Sequence, residues 1–359
     1  MIFSRGKVKN VPHFVIGNTA LNVVNDFMYL GLKLNYNNRM KVAQRDLYDR
    51  TSRAMFALLR RCSRLKLPLD ICLDLFDKTV LPVLTYGCEI WGHEIIDLVK
   101  GLQVKFYKLL LKLRRSTPTF MLFGETGRCP VDVHIKCRML CFWFKLISQE
   151  NSNRLSSLIY KFLLNMFLSN RYKSSYLLNI KECLENIGMS GFWINQVYIQ
   201  CTPMWFKAKV KRSLTDAFIQ SWYSVVDDRK NEMYTNYRMF KTSFGQESYL
   251  SLLPSACVIK LFQFRTTNNI LPVNNQRFEG IMRNERKCQK CNSGDIGDEF
   301  HYIFKCRFFN RTREELLPLY YRRNSNAIKF QELFDNNKKS ILLKIVHFIN
   351  CIRKELKDG

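Results

Sequence analysis

Three cysteines and a histidine in "CQKCNSGDIGDEFHYIFKC", residues 288–306, have the types and spacing to hold a metal ion. Cys288 and Cys291 form a CxxC pair, nine residues intervene, and His301 and Cys306 follow with four residues between them. Three thiolates and an imidazole make a closed tetrahedral set for structural Zn²⁺, with no position left for a catalytic water. The intervening "NSGDIG" is loop-like, as a chain turning back onto a metal should be. A metal-bound histidine needs a partner for its second ring nitrogen, and Asp298, Glu299 or a backbone carbonyl could supply it. The competing reading is chance proximity in a chain with 13 cysteines and five histidines, against which stands the paired spacing at both ends.

Other clusters point to less. Cys129, His134, Cys137 and Cys141 lie close in sequence, and the last three share one helix face at i, i+3 and i+7. With no CxxC and with apolar residues on the same face, they read as buried thiols rather than ligands. Two adjacent aspartates in "VVDD", residues 225–228, could bind Mg²⁺ for nucleotidyl transfer. Their helical, polar context and the lack of a third carboxylate on a nearby strand make them a solvated helix end. No GxxxxGK, GxSxG or HExxH is present.

Cationic patterning is stronger. On a helix, Arg50, Arg53, Arg60, Arg61 and Arg64 fall within an arc of about 100°, opposite Leu47, Met55, Leu58, Leu59 and Leu65. Lys105, Lys108, Lys112 and Arg115 make a similar arc of about 80° on a later helix. Such rows can follow a phosphate backbone, whereas an idle solvated face tends to mix signs. Residues 204–250 interleave Trp205, Trp222, Tyr234, Tyr237 and Phe240 with Lys207, Lys209, Lys211, Arg238 and Lys241. Aromatics among cations can stack on unpaired bases, although most such rings belong to cores.

A net charge of +27 spread along 359 residues fits a polyanion crossing a broad surface, RNA or DNA before an anionic membrane. The most apolar run, "LSSLIYKFLLNMFL" at 155–168, is too short to span a bilayer and carries Lys161, so no membrane partner is expected. "MIFSRGKVKN" lacks a secretory h-region, which predicts an intracellular, soluble protein, nuclear or cytoplasmic, with reduced thiols. At 47% hydrophobic and 13% aromatic residues the chain can bury real cores.

The elements that must position these residues are mainly α. "HFVIGN" and "FMYLGLKLNY" suit short strands within residues 1–36. A helical domain over 37–150 follows. Its first long helix ends before Pro68, its second is kinked at Pro82, its third runs to "RR" at 114–115, and its fourth starts at Pro130. A helical segment over 151–275, a zinc module over 276–320 and a C-terminal helix assigned to 321–359, running near 338–356, complete the division.

Several stretches in order resemble the reverse transcriptases of non-LTR, LINE-type retrotransposons. "MIFSRGK" is similar to the strand after the catalytic aspartates and "FMYLGLKL" to the hairpin at the thumb base. "LPVLTYGCEIWG" resembles a helix and turn often written PxLxYGxExW, and "STPTFMLFGETGRCPV" the turn and helix after it. "YRMFKTSFGQESYL", "LFQFRTTNNILPV" and the opening motif look like the C-terminal region with its CCHC zinc motif. The resemblance implies the end of a palm, a thumb, a C-terminal segment and a zinc knuckle, parts that hold template RNA and target DNA. The family's polymerase aspartates and endonuclease are not matched by any residues here, so the resemblance implies nucleic-acid binding without catalysis. The alternatives are a zinc-stabilised helical scaffold for another protein, or a relic with no function; in the last case β edges near 14–36 would lack partner strands.

Overall fold

The structure, a computed structural model, describes residues 1–3, 13–37, 40–148, 153–196 and 201–357. Most of "MIFSRGK" lies outside them, as does part of the polar break "ENSN". The expected mainly α class holds. Two antiparallel hairpins come first: β1 (Phe14–Ile16) with β2 (Thr19–Leu21), and β3 (Asp26–Tyr29) with β4 (Leu32–Asn35). Phe14 pairs with Leu21, and Asp26 with Asn35. The second hairpin turns through Leu30 and Gly31, both at positive φ as a tight hairpin turn requires. Tyr86 Oη donates to the Leu30 carbonyl (2.6 Å) and Arg50 to that of Gly31 (2.7 Å).

The helices follow as α1 (Met40–Leu65), α2 (Leu69–Leu75), α3 (Leu81–Leu84), α4 (Cys88–Trp91), α5 (Asp97–Leu110), α6 (Thr119–Thr126) and α7 (Val131–Ile147). Next come α8 (Leu155–Leu168), α9 (Ser175–Asn186), α10 (Ser190–Ile194), α11 (Pro203–Val226), α12 (Tyr237–Phe240), α13 (Tyr249–Leu252) and α14 (Ser255–Arg265). The last are α15 (Pro272–Asn275), α16 (Asn310–Leu316), α17 (Leu319–Arg322), α18 (Ala327–Phe334) and α19 (Lys339–Glu355). Among the described residues no helix is long and apolar enough to cross a membrane.

Two expected helices differ in detail. The kink at Pro82 is a π turn over Phe76–Val80 between α2 and α3, because proline cannot donate to the carbonyl one turn back. The third helix stops at Leu110, short of Arg115. Lys112 sits at φ +53°, its N–H donates to the Leu109 carbonyl (3.3 Å), and the Leu113 N–H reaches the Lys108 carbonyl (2.8 Å). This Schellman ending is fixed by distant residues: Gln263 Nε2 donates to the Lys112 carbonyl (2.9 Å), and Asn268 Oδ1 accepts from the Arg114 N–H (3.1 Å).

The chain forms two compact units, each gathered from three stretches: Met1–Leu58, Leu75–Gln103 and Cys129–Phe218 in the first, Leu59–Asp74, Val104–Arg128 and Ile219–Gly359 in the second. They cut across the serial boundaries expected at 36, 150, 275 and 320, because helices far apart in sequence share cores. In the first unit, Met139, Leu140, Trp143 and Phe144 of α7 pack with Ile180 and Leu184 of α9 and with Phe206 and Val210 of α11. Phe144 stacks on Phe206 with centroids 4.2 Å apart. In the second, Met121 packs with Trp222, Tyr234 and Tyr237, while Phe240, Phe330 and Phe334 form an aromatic group that Phe264 also joins.

Candidate metal centre

Cys288, Cys291, His301 and Cys306 converge in the second unit, with their ligand atoms all within 4.8 Å of one another. Among the described residues this is the one grouping of three or more potential ligands. A β-bridge between Lys287 and Ile296 closes the CxxC loop, and the Cys288 N–H donates to the Asp295 carbonyl (2.9 Å). The Lys290 N–H points at Cys288 Sγ (3.5 Å), which favours a thiolate there. Gly297 lets the loop close. A Cβ at that position would lie 2.9 Å from Pro272 Cγ and 3.2 Å from Cys288 Cα.

His301 and Cys306 come from one π turn, in which the Cys306 N–H donates to the His301 carbonyl (2.7 Å). The four intervening residues are thus one turn of i→i+5 helix, which returns the sulfur to the imidazole. Arg313, nearly buried, clamps the end of this turn by donating to the carbonyls of Ile303 (2.7 Å) and Cys306 (2.9 Å). Nothing in the spacing singled out Arg313, because it acts only after α16 folds back.

Cys288 Sγ and Cys306 Sγ are 3.8 Å apart, and Cys291 Sγ lies 3.3 Å from His301 Nε2. A tetrahedron with metal–sulfur bonds of about 2.3 Å has S···S edges of about 3.8 Å, the Cys288–Cys306 separation, so the cluster could hold a small tetrahedral cation. The hydrogen bond with Cys306 holds the Cys288 thiol down at about 3, and the same pairing pushes Cys306 up. One thiolate is therefore favoured even before a cation adds its own field.

The second ring nitrogen corrects the expectation. His301 Nδ1 lies 3.4 Å from Asp295 Oδ2, near enough for attraction but out of line for a hydrogen bond. Asp298 instead accepts from the His301 backbone N–H (2.9 Å), and Glu299 turns away into the interior. There Glu299 accepts from the side-chain amides of Asn269 (2.8 Å), Asn274 (2.6 Å) and Asn236. Burial pushes its carboxyl up. These amides fasten the π turn to α15 and to the segment before α12, so the metal loop is part of the second unit's core rather than a separate module.

A second buried polar group lies in the same unit. Arg265 pairs bidentately with Glu125 (2.9 and 3.1 Å) and with Glu247 (2.9 Å), between the rings of Phe240 and Tyr249. Burial drives Glu125 up while Arg265 pulls the other way. Glu125, Glu247 and Arg265 come from "FGETG", "FGQES" and "QFRTT", three stretches marked in the sequence without any role for these residues. Charges set among aromatics were the available signal.

The cationic residues separate. Arg53 in the first unit and Arg60, Arg61 and Arg64 in the second are exposed. Arg50 is half-buried, paired with Asp46 (2.6 Å) and bonded to the β3–β4 turn, so its guanidinium is a structural pin. Lys108 is likewise committed, to the Arg115 carbonyl (2.6 Å), and burial lowers it. With α5 ended at Leu110, Lys112 and Arg115 leave the helical arc of Lys105 and Lys108, although both are exposed. Lys207, Lys209 and Lys211 are exposed on α11. Trp222, Tyr234, Tyr237 and Phe240 are core residues; Trp205 is 50% exposed. Arg238 is tied to the carbonyls of Val226 and Asp228, and Lys241 to Glu247. Asp227 and Asp228 are exposed just past α11, as expected of a solvated helix end. Cys137 and Cys141 are half-buried thiols beside the first unit's core.

No family model, curated protein or solved structure matches this chain.

Proposed function

We propose that the chain binds single-stranded or structured nucleic acid through exposed arginines and lysines, with Zn²⁺ at Cys288, Cys291, His301 and Cys306 as a structural ion. Three thiolates with one imidazole, tetrahedral edges and no spare position favour Zn²⁺ in a folding role over a catalytic metal. The observation that carries nucleic-acid binding is the end of α1. Arg60, Arg61 and Arg64 are exposed there, with no acidic partner among the described residues. An idle surface rarely leaves such a row uncompensated. The net charge of +27 and the ordered resemblance to the C-terminal part of a non-LTR reverse transcriptase support the same reading. No polymerase or nuclease step is proposed.

The test is the affinity for single-stranded RNA as salt is raised. Log K should fall linearly with log salt, and the triple substitution Arg60→Ala, Arg61→Ala, Arg64→Ala should reduce the slope by about two, at roughly 0.7 per lost phosphate contact. A salt-independent affinity would overturn the reading.

A scaffold for another protein is the second reading, favoured by the two hairpins. Phe14, Ile16, Phe27, Met28 and Tyr29 on the strands and Leu30 in the turn are all exposed there, and among the described residues each hairpin pairs with no further strand. A partner protein recovered only when these residues are intact would support it.

A further inference from the structure

The first unit has a cavity of about 640 Å³ beside the start of α11. Its walls include Gly188, Gly191, Phe192, Thr202, Trp205 and Lys209. Three observations bear on what it takes. Trp205 is half-exposed, whereas the chain's other four tryptophans, Trp91, Trp143, Trp193 and Trp222, are buried. Its indole stacks on Phe192, with centroids 6.2 Å apart and planes 28° apart, so the ring is braced rather than loose. A Cβ added at Gly188 or Gly191 would meet nothing within 4 Å, which leaves the floor of the cavity open to a flat group.

Charge narrows the ligand further. Among the described residues that line it, Lys209 is the one with a charge, and none is a carboxylate. Lys207 and Lys211, exposed on the same helix, lie outside the cavity. A braced aromatic face with the Lys209 ammonium one turn on is the arrangement that holds an unpaired base by its π-face and its phosphate by charge. A fully apolar ligand would leave Lys209 without use, and a duplex keeps its bases stacked inside.

We infer that this cavity is a base-stacking subsite: an unpaired nucleotide of single-stranded RNA or DNA lays its base on Trp205 and its phosphate against Lys209. The inference rests on the nucleic-acid reading above and gives it a location and a preference for single strands. The interleaved aromatics and lysines of 204–250 thereby reduce, at this cavity, to one ring and one neighbouring cation.

The experiment compares the parent with Trp205→Ala, Trp205→Phe and Lys209→Ala on short oligouridine, oligothymidine, a duplex, and inorganic polyphosphate. Single strands should quench the intrinsic fluorescence of the parent, and polyphosphate should not, because it carries no base. Trp205→Ala should lose that quenching and bind single strands roughly five- to a hundredfold more weakly, with duplex binding unchanged. Trp205→Phe should keep most of the affinity, which separates stacking from a folding defect. Lys209→Ala, an exposed change, should weaken both single strands and lower the salt slope by roughly 0.7. Unequal effects on oligouridine and oligothymidine would assign the subsite to one of the two. If parent and Trp205→Ala bind both oligouridine and oligothymidine equally, the subsite is overturned while nucleic-acid binding stands. If the parent binds the duplex but neither single strand, the subsite alone is overturned; if it binds none of the three, both readings fall together.

Discussion

Cys137 and Cys141 stand one turn apart on α7 and divide their protons unequally. The hydrogen bond with Cys141 brings Cys137 down to about 7 against the cost of burial, helped by Lys207 and Lys211; the same bond pushes Cys141 up. Alkylation by iodoacetamide at Cys137 should therefore show a midpoint near pH 7, with Cys141 slow throughout. Lys207→Ala with Lys211→Ala should move that midpoint upward. The linkage has a definite sign: a thiol whose folded pKa is depressed binds fewer protons folded than unfolded, so its contribution to stability grows from about pH 7 to 9 and is lost as pH falls through 7. A mass-spectrometric pH profile of both cysteines checks this. At the same scale the spacing of residues 288–306 was enough to name the four residues that converge as a candidate metal site, because two short local turns suffice to gather them. It could not name Asp295 as the neighbour of His301 Nδ1, since that depends on how the "NSGDIG" loop folds back.

At the scale of elements, the turn that ends α6 shows how a local break is fixed by a distant strand-like contact. Gly127 sits at φ +63°, and Thr126 bridges to Gln246, while the Glu247 N–H donates to the Glu125 carbonyl (3.0 Å). A Cβ on Gly127 would lie 2.3 Å from the Gln246 nitrogen. Gly127→Ala should destabilise the protein by about 3 kcal/mol, combining backbone strain with displacement of that segment. Gly245→Ala, where a Cβ meets nothing within 4 Å, should be close to neutral, and paired chemical denaturation curves measure the contrast. A glycine after "FGET" is a readable helix stop. Its obligation to Gln246, more than a hundred residues on, is not readable. The early end of α5 has the same origin, because Gln263 and Asn268 satisfy carbonyl and amide groups that would otherwise have continued the helix.

For the molecule as a whole, the metal is expected to matter to stability more than to chemistry. Elemental analysis should find one zinc per chain, and Cys288→Ser with Cys291→Ser should abolish it. Stripping the ion with a chelator should raise hydrogen exchange around residues 286–306 and in α15, which Glu299 ties to the metal loop through Asn274. The melting temperature should fall with it, at roughly 2–4 °C per kcal/mol for a unit of this size. Retention of the full melting temperature without metal would show that the buried Glu299 and Arg313 contacts hold the loop by themselves.

The sequence by itself determined the mainly α character, the ends of the first and last long helices, the four members of the Cys/His cluster and the solvated place of Asp227 and Asp228. All of these follow from patterns a few turns long. The tertiary structure decided which side chains remain available. It buried Trp222, Tyr234, Tyr237 and Phe240 and left Trp205 outside; it spent Arg50 on a hairpin turn and closed Glu125, Glu247 and Arg265 into one buried group. Ligand spacing is a local property of the chain, whereas exposure and charge pairing are set by segments brought together from far along it.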